Sequence, residues 1–214
     1  MPATLIKICG ITTTVALDAA IRARADYIGL VFFAKSPRHC DPAQAAMLAR
    51  HAAGRVQVVG LMVDPAPDYL REVTAMVPLD HLQLHGHETP QDVAAIATRT
   101  GLSVWKALGV RQRADVAAAD AFAGAATRVL FDAKPPAGAD LPGGNGLRID
   151  WAVLRGVRPA LPWMLAGGLD PDNVVEAIAV TGAEAVDVSS GVESAPGAKD
   201  PALITAFCAA ARSG

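Results

Sequence analysis

Eight short β-rich runs alternate with helix-period segments along the whole chain, and nothing else in the sequence constrains the fold as strongly. The runs begin at Leu5-Ile6-Lys7-Ile8-Cys9 and continue at Tyr27 to Phe32, Val56 to Val63 and Leu82 to Leu84. They resume at Ser103 to Leu108, Arg128 to Phe131, Trp163 to Ala166 and Ala185 to Val188. A helix is predicted from about Thr13 to Arg24, with Val15, Leu17, Ala20 and Ile21 on one face. Asp41-Pro42, Thr89-Pro90, Asp170-Pro171 and Asp200-Pro201 each read as an N-cap followed by proline at the first helical position. Pro67 starts a further helix, Ala114 to Phe122 another, and Asp150 caps a short one through Leu154. Alternation at this spacing calls for parallel strands with crossover helices. Eight units over residues 1–214 predict a single-domain α/β fold, a closed (β/α)8 barrel. A doubly wound open sheet is the alternative, but no G-x-G-x-x-G follows the first run.

Composition narrows the function. The chain has 214 residues, 52% hydrophobic and 19% charged, which is the balance of a globular protein. A net charge of −2 argues against a nucleic-acid surface or an anionic membrane, since both need a basic excess. Cys9, Cys40 and Cys208 are too scattered for a disulfide framework, so a reducing compartment is expected. No apolar run approaches the ~18 residues of a membrane span. A soluble, cytoplasmic protein is the expectation. The segment from Pro135 to Gly146, rich in Pro, Gly and Ala, reads as one long loop.

A barrel puts its chemistry at the C-terminal ends of the strands. Cys9 stands there after the first strand, with Lys7 near enough to lower a thiol pKa. From strand position alone, a small buried hydrophobe is the favoured reading of Cys9. Asp132 follows the apolar Val129-Leu130-Phe131, where walls of that kind raise a carboxyl pKa and suit a general acid. Asp64 and Asp187 compete for that role, and pairing with Lys134 is the plainer reading of Asp132. Arg38, in Lys35-Ser36-Pro37-Arg38, has the fork to clamp a carboxylate, against the commoner fate of a solvated charge. Lys106 lies near the end of the fifth strand. His85-Gly86-His87-Glu88 lacks a clear third ligand, so no metal site is expected. Gly167-Gly168 and Ser190-Gly191 fall in the last two units, whose loops bind phosphate in many barrels.

Read together, these segments resemble the phosphoribosylanthranilate isomerases of tryptophan biosynthesis. The resemblance runs through Lys7-Ile8-Cys9-Gly10-Ile11-Thr12, Phe33-Ala34-Lys35-Ser36-Pro37-Arg38 and Leu82-Gln83-Leu84-His85-Gly86. It continues through Asp132 with Gly143-Gly144-Asn145-Gly146, then Leu165 to Leu169, and ends with Val186 to Glu193. It implies a cofactor-free Amadori rearrangement of a phosphosugar, with Cys9 as general base and Asp132 as general acid. It implies substrate contacts from Lys7, Arg38 and His85, with Arg38 on the anthranilate carboxylate. Phosphate is implied on Gly144, Asn145, Gly146, Gly167, Gly168, Ser190 and Gly191. No cofactor, metal, nucleic-acid or membrane partner is implied, and a monomer is expected. The chain departs from the commoner pattern at Asn145, where Thr is usual, and at Ala133-Lys134-Pro135-Pro136, where a small hydroxyl residue is more frequent. Lys134 is therefore expected beside Asp132, lowering its pKa. The related isomerase of histidine biosynthesis is the runner-up, disfavoured by Cys9 in the place of an Asp. A non-catalytic phosphate-binding barrel ranks below it.

Overall fold

The computed structural model describes residues 4–134 and 148–213. Eight parallel strands close in sequence order into a barrel. They are β1 (Leu5–Cys9), β2 (Tyr27–Phe32), β3 (Gln57–Met62), β4 (His81–Leu84), β5 (Ser103–Val110), β6 (Arg128–Ala133), β7 (Trp163–Leu165) and β8 (Ala185–Val188). Closure is sealed by β1 against β8, with Lys7 opposite Asp187 and Ile8 opposite Val188. The helices between them are α1 (Thr14–Arg22), α2 (Pro42–Ala52), α3 (Pro67–Met76), α4 (Pro90–Thr100) and α5 (Arg113–Ala117), continued by a 3₁₀ turn at Ala118–Phe122. A second 3₁₀ turn, Trp151–Leu154, takes the place of a helix before β7, and α6 is Val174–Thr181. After β8 come a short hairpin, β9 (Glu193–Ala195) and β10 (Ala198–Lys199), and then α7 (Pro201–Ser213). Among the described residues no helix is long and apolar enough to cross a membrane.

Local chemistry explains most boundaries. Asp41 accepts from the Ala43 and Gln44 amides at 3.0 Å each, with Pro42 behind it. Thr89 and Asp92 form a reciprocal capping box, and Gly101 ends α4 in the left-handed conformation. Asp200 accepts from Ala202 and Leu203 at the head of α7. The expectation fails at Asp170-Pro171. Asp170 caps only a turn, accepting from Asp172, and the helix begins at Val174. Asn173 causes the delay by folding back, accepting from the Asp170 amide and donating to the Gly168 carbonyl.

Period-two alternation divides the strands between two cores. Ile6, Ile8, Ile28, Leu30, Phe131, Leu165 and Val186 face the helices and pack with Leu17, Leu48 and Phe207. Val59, Trp105, Ala107, Leu130, Met164, Ala166 and Ala185 fill the barrel. Each fully buried Leu or Ile contributes about 1.5–3 kcal/mol. The opposite parity carries Lys7, Cys9, Gln83 and Asp187 into the barrel instead, where charge and amide replace hydrocarbon.

Candidate active site

Cys9 and Asp132 both lie at strand C-termini, on β1 and β6, and both are buried. Cys9 packs with Val31 and Leu61 at the upper end of the barrel. Lys7 sits one layer deeper on the same face, fully buried, with its Nζ donating to Asp187 Oδ1 at 2.8 Å. Burial opposes its charge, yet Asp187 and Cys9 hold the ammonium above the usual lysine range. The sequence offered Lys7 as a cation able to lower the Cys9 thiol, with a small buried hydrophobe as the other reading. Burial pushes the thiol up and outweighs the favourable charges of Lys7 and Lys199. Lys7 therefore supports the thiol from beneath rather than standing on the open rim.

Asp132 has quieter surroundings. Its Oδ1 accepts from the Ala133 amide at 2.8 Å, and its Oδ2 lies 3.3 Å from His85 Nε2. His85 Nδ1 in turn faces Gln83 Nε2 at 3.5 Å, and Gln83 Oε1 is buried without a partner among the described residues. The expected Lys134 contact is not made. Lys134 is half-exposed and its Nζ turns to Asp115 at 3.7 Å.

Several other candidates prove to be braces. Asp64 accepts from the His87 amide and lies 2.9 Å from its ring, tying the third loop to the fourth. Lys106 falls on the opposite face of β5 from Trp105 and Ala107, so it leaves the barrel interior. There it pairs with Glu88 at 3.1 Å and donates to the Gly86 carbonyl at 2.9 Å. Among the described residues no His, Cys, Asp and Glu side chains group as metal ligands would. Burial pushes the Cys40 and Cys208 thiols up to about 11 each.

Arg38 is not a solvated charge. It is buried and grips Glu193, with Nε to Oε1 at 2.7 Å and Nη2 to Oε2 at 2.9 Å. Lys199 closes on the same carboxylate at 2.6 Å and also donates to the Ser189 carbonyl at 2.9 Å. Ser189 Oγ donates to the Cys9 carbonyl at 3.2 Å, which joins this cluster to the end of β1. Sequence reasoning missed Lys199, since a lysine before an Asp-Pro cap looks like surface charge. It also missed the β9–β10 hairpin that buries it.

The last two loops meet closely. Gly167 and Gly168 both take left-handed φ, +86° and +67°. A Cβ on Gly167 would stand 3.0 Å from Asp132 Oδ1, so this turn abuts the candidate acid. Ser190-Gly191 opens the 3₁₀ turn Ser190–Val192 after β8. A Cβ on Gly191 would lie 1.9 Å from the Leu169 carbonyl oxygen, so only glycine lets the two loops touch. Gly144, Asn145 and Gly146 lie outside the described residues.

Comparison with known proteins shows the family. The family model described as N-(5'-phosphoribosyl)anthranilate (PRA) isomerase matches residues 6–210. The N-(5'-phosphoribosyl)anthranilate isomerase of Paramagnetospirillum magneticum is 57% identical over 209 residues, covering 98% of this chain and 97% of its own. That of Rhodospirillum centenum is 55% identical, covering 96% and 98%. The crystal structure of phosphoribosyl anthranilate isomerase from Thermotoga maritima superposes with a TM-score of 0.88 at 34% identity, covering 99% and 100%. With the barrel, its interior-facing cysteine and aspartate, and these relatives in agreement, the chain belongs to the N-(5'-phosphoribosyl)anthranilate isomerase family and is an isomerase.

Proposed function

We propose that this isomerase converts N-(5'-phosphoribosyl)anthranilate to 1-(2-carboxyphenylamino)-1-deoxyribulose 5-phosphate by general acid–base catalysis, with Asp132 as the acid and Cys9 as the base. The observation that carries this reading is the placing of one ionisable thiol and one carboxyl at the upper end of the barrel. They stand on strands separated by β7 and β8, each with its own neighbours. Asp132 in its protonated form gives its proton to the ribose ring oxygen. The bond from that oxygen to C1' breaks and a Schiff base forms. The Cys9 thiolate removes the proton from C2', and the resulting enolamine tautomerises to the aminoketose. Acid and base must hold opposite protonation states at one pH, as paired groups in different environments do. Lys7 and Lys199 work against burial in favour of the thiolate, and among the described residues the Ala133 amide and the His85 imidazole approach the Asp132 carboxyl.

Remote binding energy aligns the reacting carbons. Gly167-Gly168 and Ser190-Gly191 offer backbone N–H groups to the phosphate, and Arg38 takes the anthranilate carboxylate. Gly144, Asn145 and Gly146 belong to the same phosphate-binding proposal. His85 contacts the substrate next to Asp132. A monomer is the proposed working unit. A sedimentation mass of a single chain at assay concentration is the expected result, and an obligate dimer overturns it. The cytoplasm, where the substrate's pathway would run, is the proposed compartment.

The test is turnover of freshly generated phosphoribosylanthranilate with EDTA present, followed by loss of anthranilate-type fluorescence. Rapid loss that persists in EDTA is expected. A folded protein without turnover overturns the proposal and redirects attention to the aminoimidazole phosphosugar of histidine biosynthesis.

A further inference from the structure

Arg38 meets this proposed role already half occupied. Its Nε and Nη2 edge is spent on Glu193, in a fork-to-fork pair with all four side-chain atoms at 2.7–2.9 Å. Among the described residues nothing accepts from Nη1. The stem of Arg38 runs over Gly10, where a Cβ would lie 2.8 Å from Cδ, so the guanidinium is anchored beside the turn that follows Cys9. Glu193 is itself held from three sides, by Arg38, by Lys199 at 2.6 Å and by the Gly197 amide at 3.2 Å. The side chains of Arg38, Glu193 and Lys199 are 7%, 4% and 1% exposed, so each is fixed by packing as well as by charge.

We propose that Glu193 and Lys199 are positioning residues for substrate recognition: Glu193 locks the guanidinium of Arg38 so that only its Nη1 end is free for the aromatic carboxylate, and Lys199 keeps the cluster cationic. The inference rests on the reading of Arg38 as the carboxylate contact. Glu193 alone would cancel the charge of Arg38, and a neutral pair draws no second anion. Two cations around one carboxylate leave one net positive charge. Guanidinium geometry then admits the substrate carboxylate end-on at Nη1, in the plane that Glu193 sets. Lys199 reaches Ser189, and through it the end of β1, so the same residue registers this recognition cluster against the strand that carries the base.

The test compares two substrates in the full-length protein, the anthranilate adduct and the corresponding phosphoribosyl adduct of aniline, which lacks the carboxylate. Glu193→Gln adds one net positive charge but removes the fork that sets Nη1; with orientation dominant, KM for the anthranilate adduct should rise by about tenfold, the scale of one weakened charge-assisted hydrogen bond. KM for the aniline adduct should stay within about twofold, because a ligand without a carboxylate makes no use of the oriented Nη1. Lys199→Met should move the same ratio in the same direction and Lys199→Arg should restore it, which keeps the inference testable if one variant folds poorly. Parallel losses on both substrates mean a merely structural role and overturn the inference, as does no change on either. Arg38→Ala separates the two levels of argument. If it raises KM for the anthranilate adduct while Glu193→Gln and Lys199→Met do not, this inference alone falls. If Arg38→Ala leaves that KM unchanged, the carboxylate contact falls and this inference with it.

Discussion

The two walls of the barrel mouth are built on different physics. The wall made by β1, β8 and the β9–β10 hairpin is crowded with buried charge: Lys7 with Asp187, and Arg38 with Glu193 and Lys199. The wall made by β4, β5 and β6 holds Asp132, His85 and Gln83, and its cation Lys106 is turned out of the barrel onto Glu88. The charged wall surrounds the thiol proposed as the base, and the wall with fewer charges among the described residues holds the carboxyl proposed as the acid. On that proposal, charge placement distinguishes the surroundings of the two groups.

The largest expected effects test both walls at their reacting atoms. Cys9→Ser and Asp132→Asn should each lower kcat by about 10²–10⁴-fold, the usual worth of a general acid or base. Inorganic phosphate should still bind each variant with near-native affinity, measured by calorimetry. A Cys9→Ser enzyme turning over at the native rate removes the base from the charged wall.

Next in size is the charged wall's foundation. Lys7→Met leaves Asp187 buried without its partner, and breaking a buried pair costs about 3–5 kcal/mol. Replacing both, with Asp187→Leu added, should cost less than Lys7→Met alone, as read from urea unfolding. Lys7→Met should also act on Cys9, with a definite sign. Burial already holds this thiol above its ordinary value, and the Lys7 charge works against burial. Losing that charge moves the titration further up, so the pH at which Cys9 becomes reactive rises. Iodoacetamide labelling across pH, resolved from Cys40 and Cys208 by mass spectrometry, measures it. An unmoved labelling curve would falsify the supporting role of Lys7.

Between the walls lies the seam of the seventh and eighth loops. Gly191→Ala places a methyl group where the Leu169 carbonyl stands, so one loop must retreat. Overpacking of this kind costs about 1–3 kcal/mol. The shift should appear as a raised KM with phosphate affinity reduced in step, because the backbone donors move apart. Unchanged phosphate affinity detaches this seam from phosphate binding.

How much of this could be read from sequence follows from how local each signal is. The eight strands and the caps at Asp41, Thr89 and Asp200 were legible because alternation and capping act within a few residues. The helix start after Asp170 was not, because Asn173 reaches back to Gly168 and claims the turn. The positions of Cys9 and Asp132 were legible because strand ends define the barrel mouth. Their partners were not. Arg38 meets Glu193 across 155 residues and Lys7 meets Asp187 across 180. Only closure of the barrel brings such pairs together. The sign of the shift at Cys9 was not legible, because a neighbouring cation is visible in sequence and the depth of burial is not.

The smallest expected effect sharpens the comparison from the quiet side. Sequence proximity suggested that Lys134 would sit on Asp132 and hold it ionised, which would make the two walls alike. The structure instead directs Lys134 to Asp115, whose carboxyl is held low first by the Arg111 amide, with smaller help from Gln112 and Lys134. A pair 3.7 Å apart whose lysine is half-exposed contributes little, about 0–1 kcal/mol. Lys134→Ala should therefore leave kcat within about twofold and shift the urea midpoint only slightly. The pH–rate profile should stay where it is. A limb that moves to higher pH in Lys134→Ala would mean that the lysine does reach Asp132 during turnover, and the acid wall would then be tuned by charge as the base wall is.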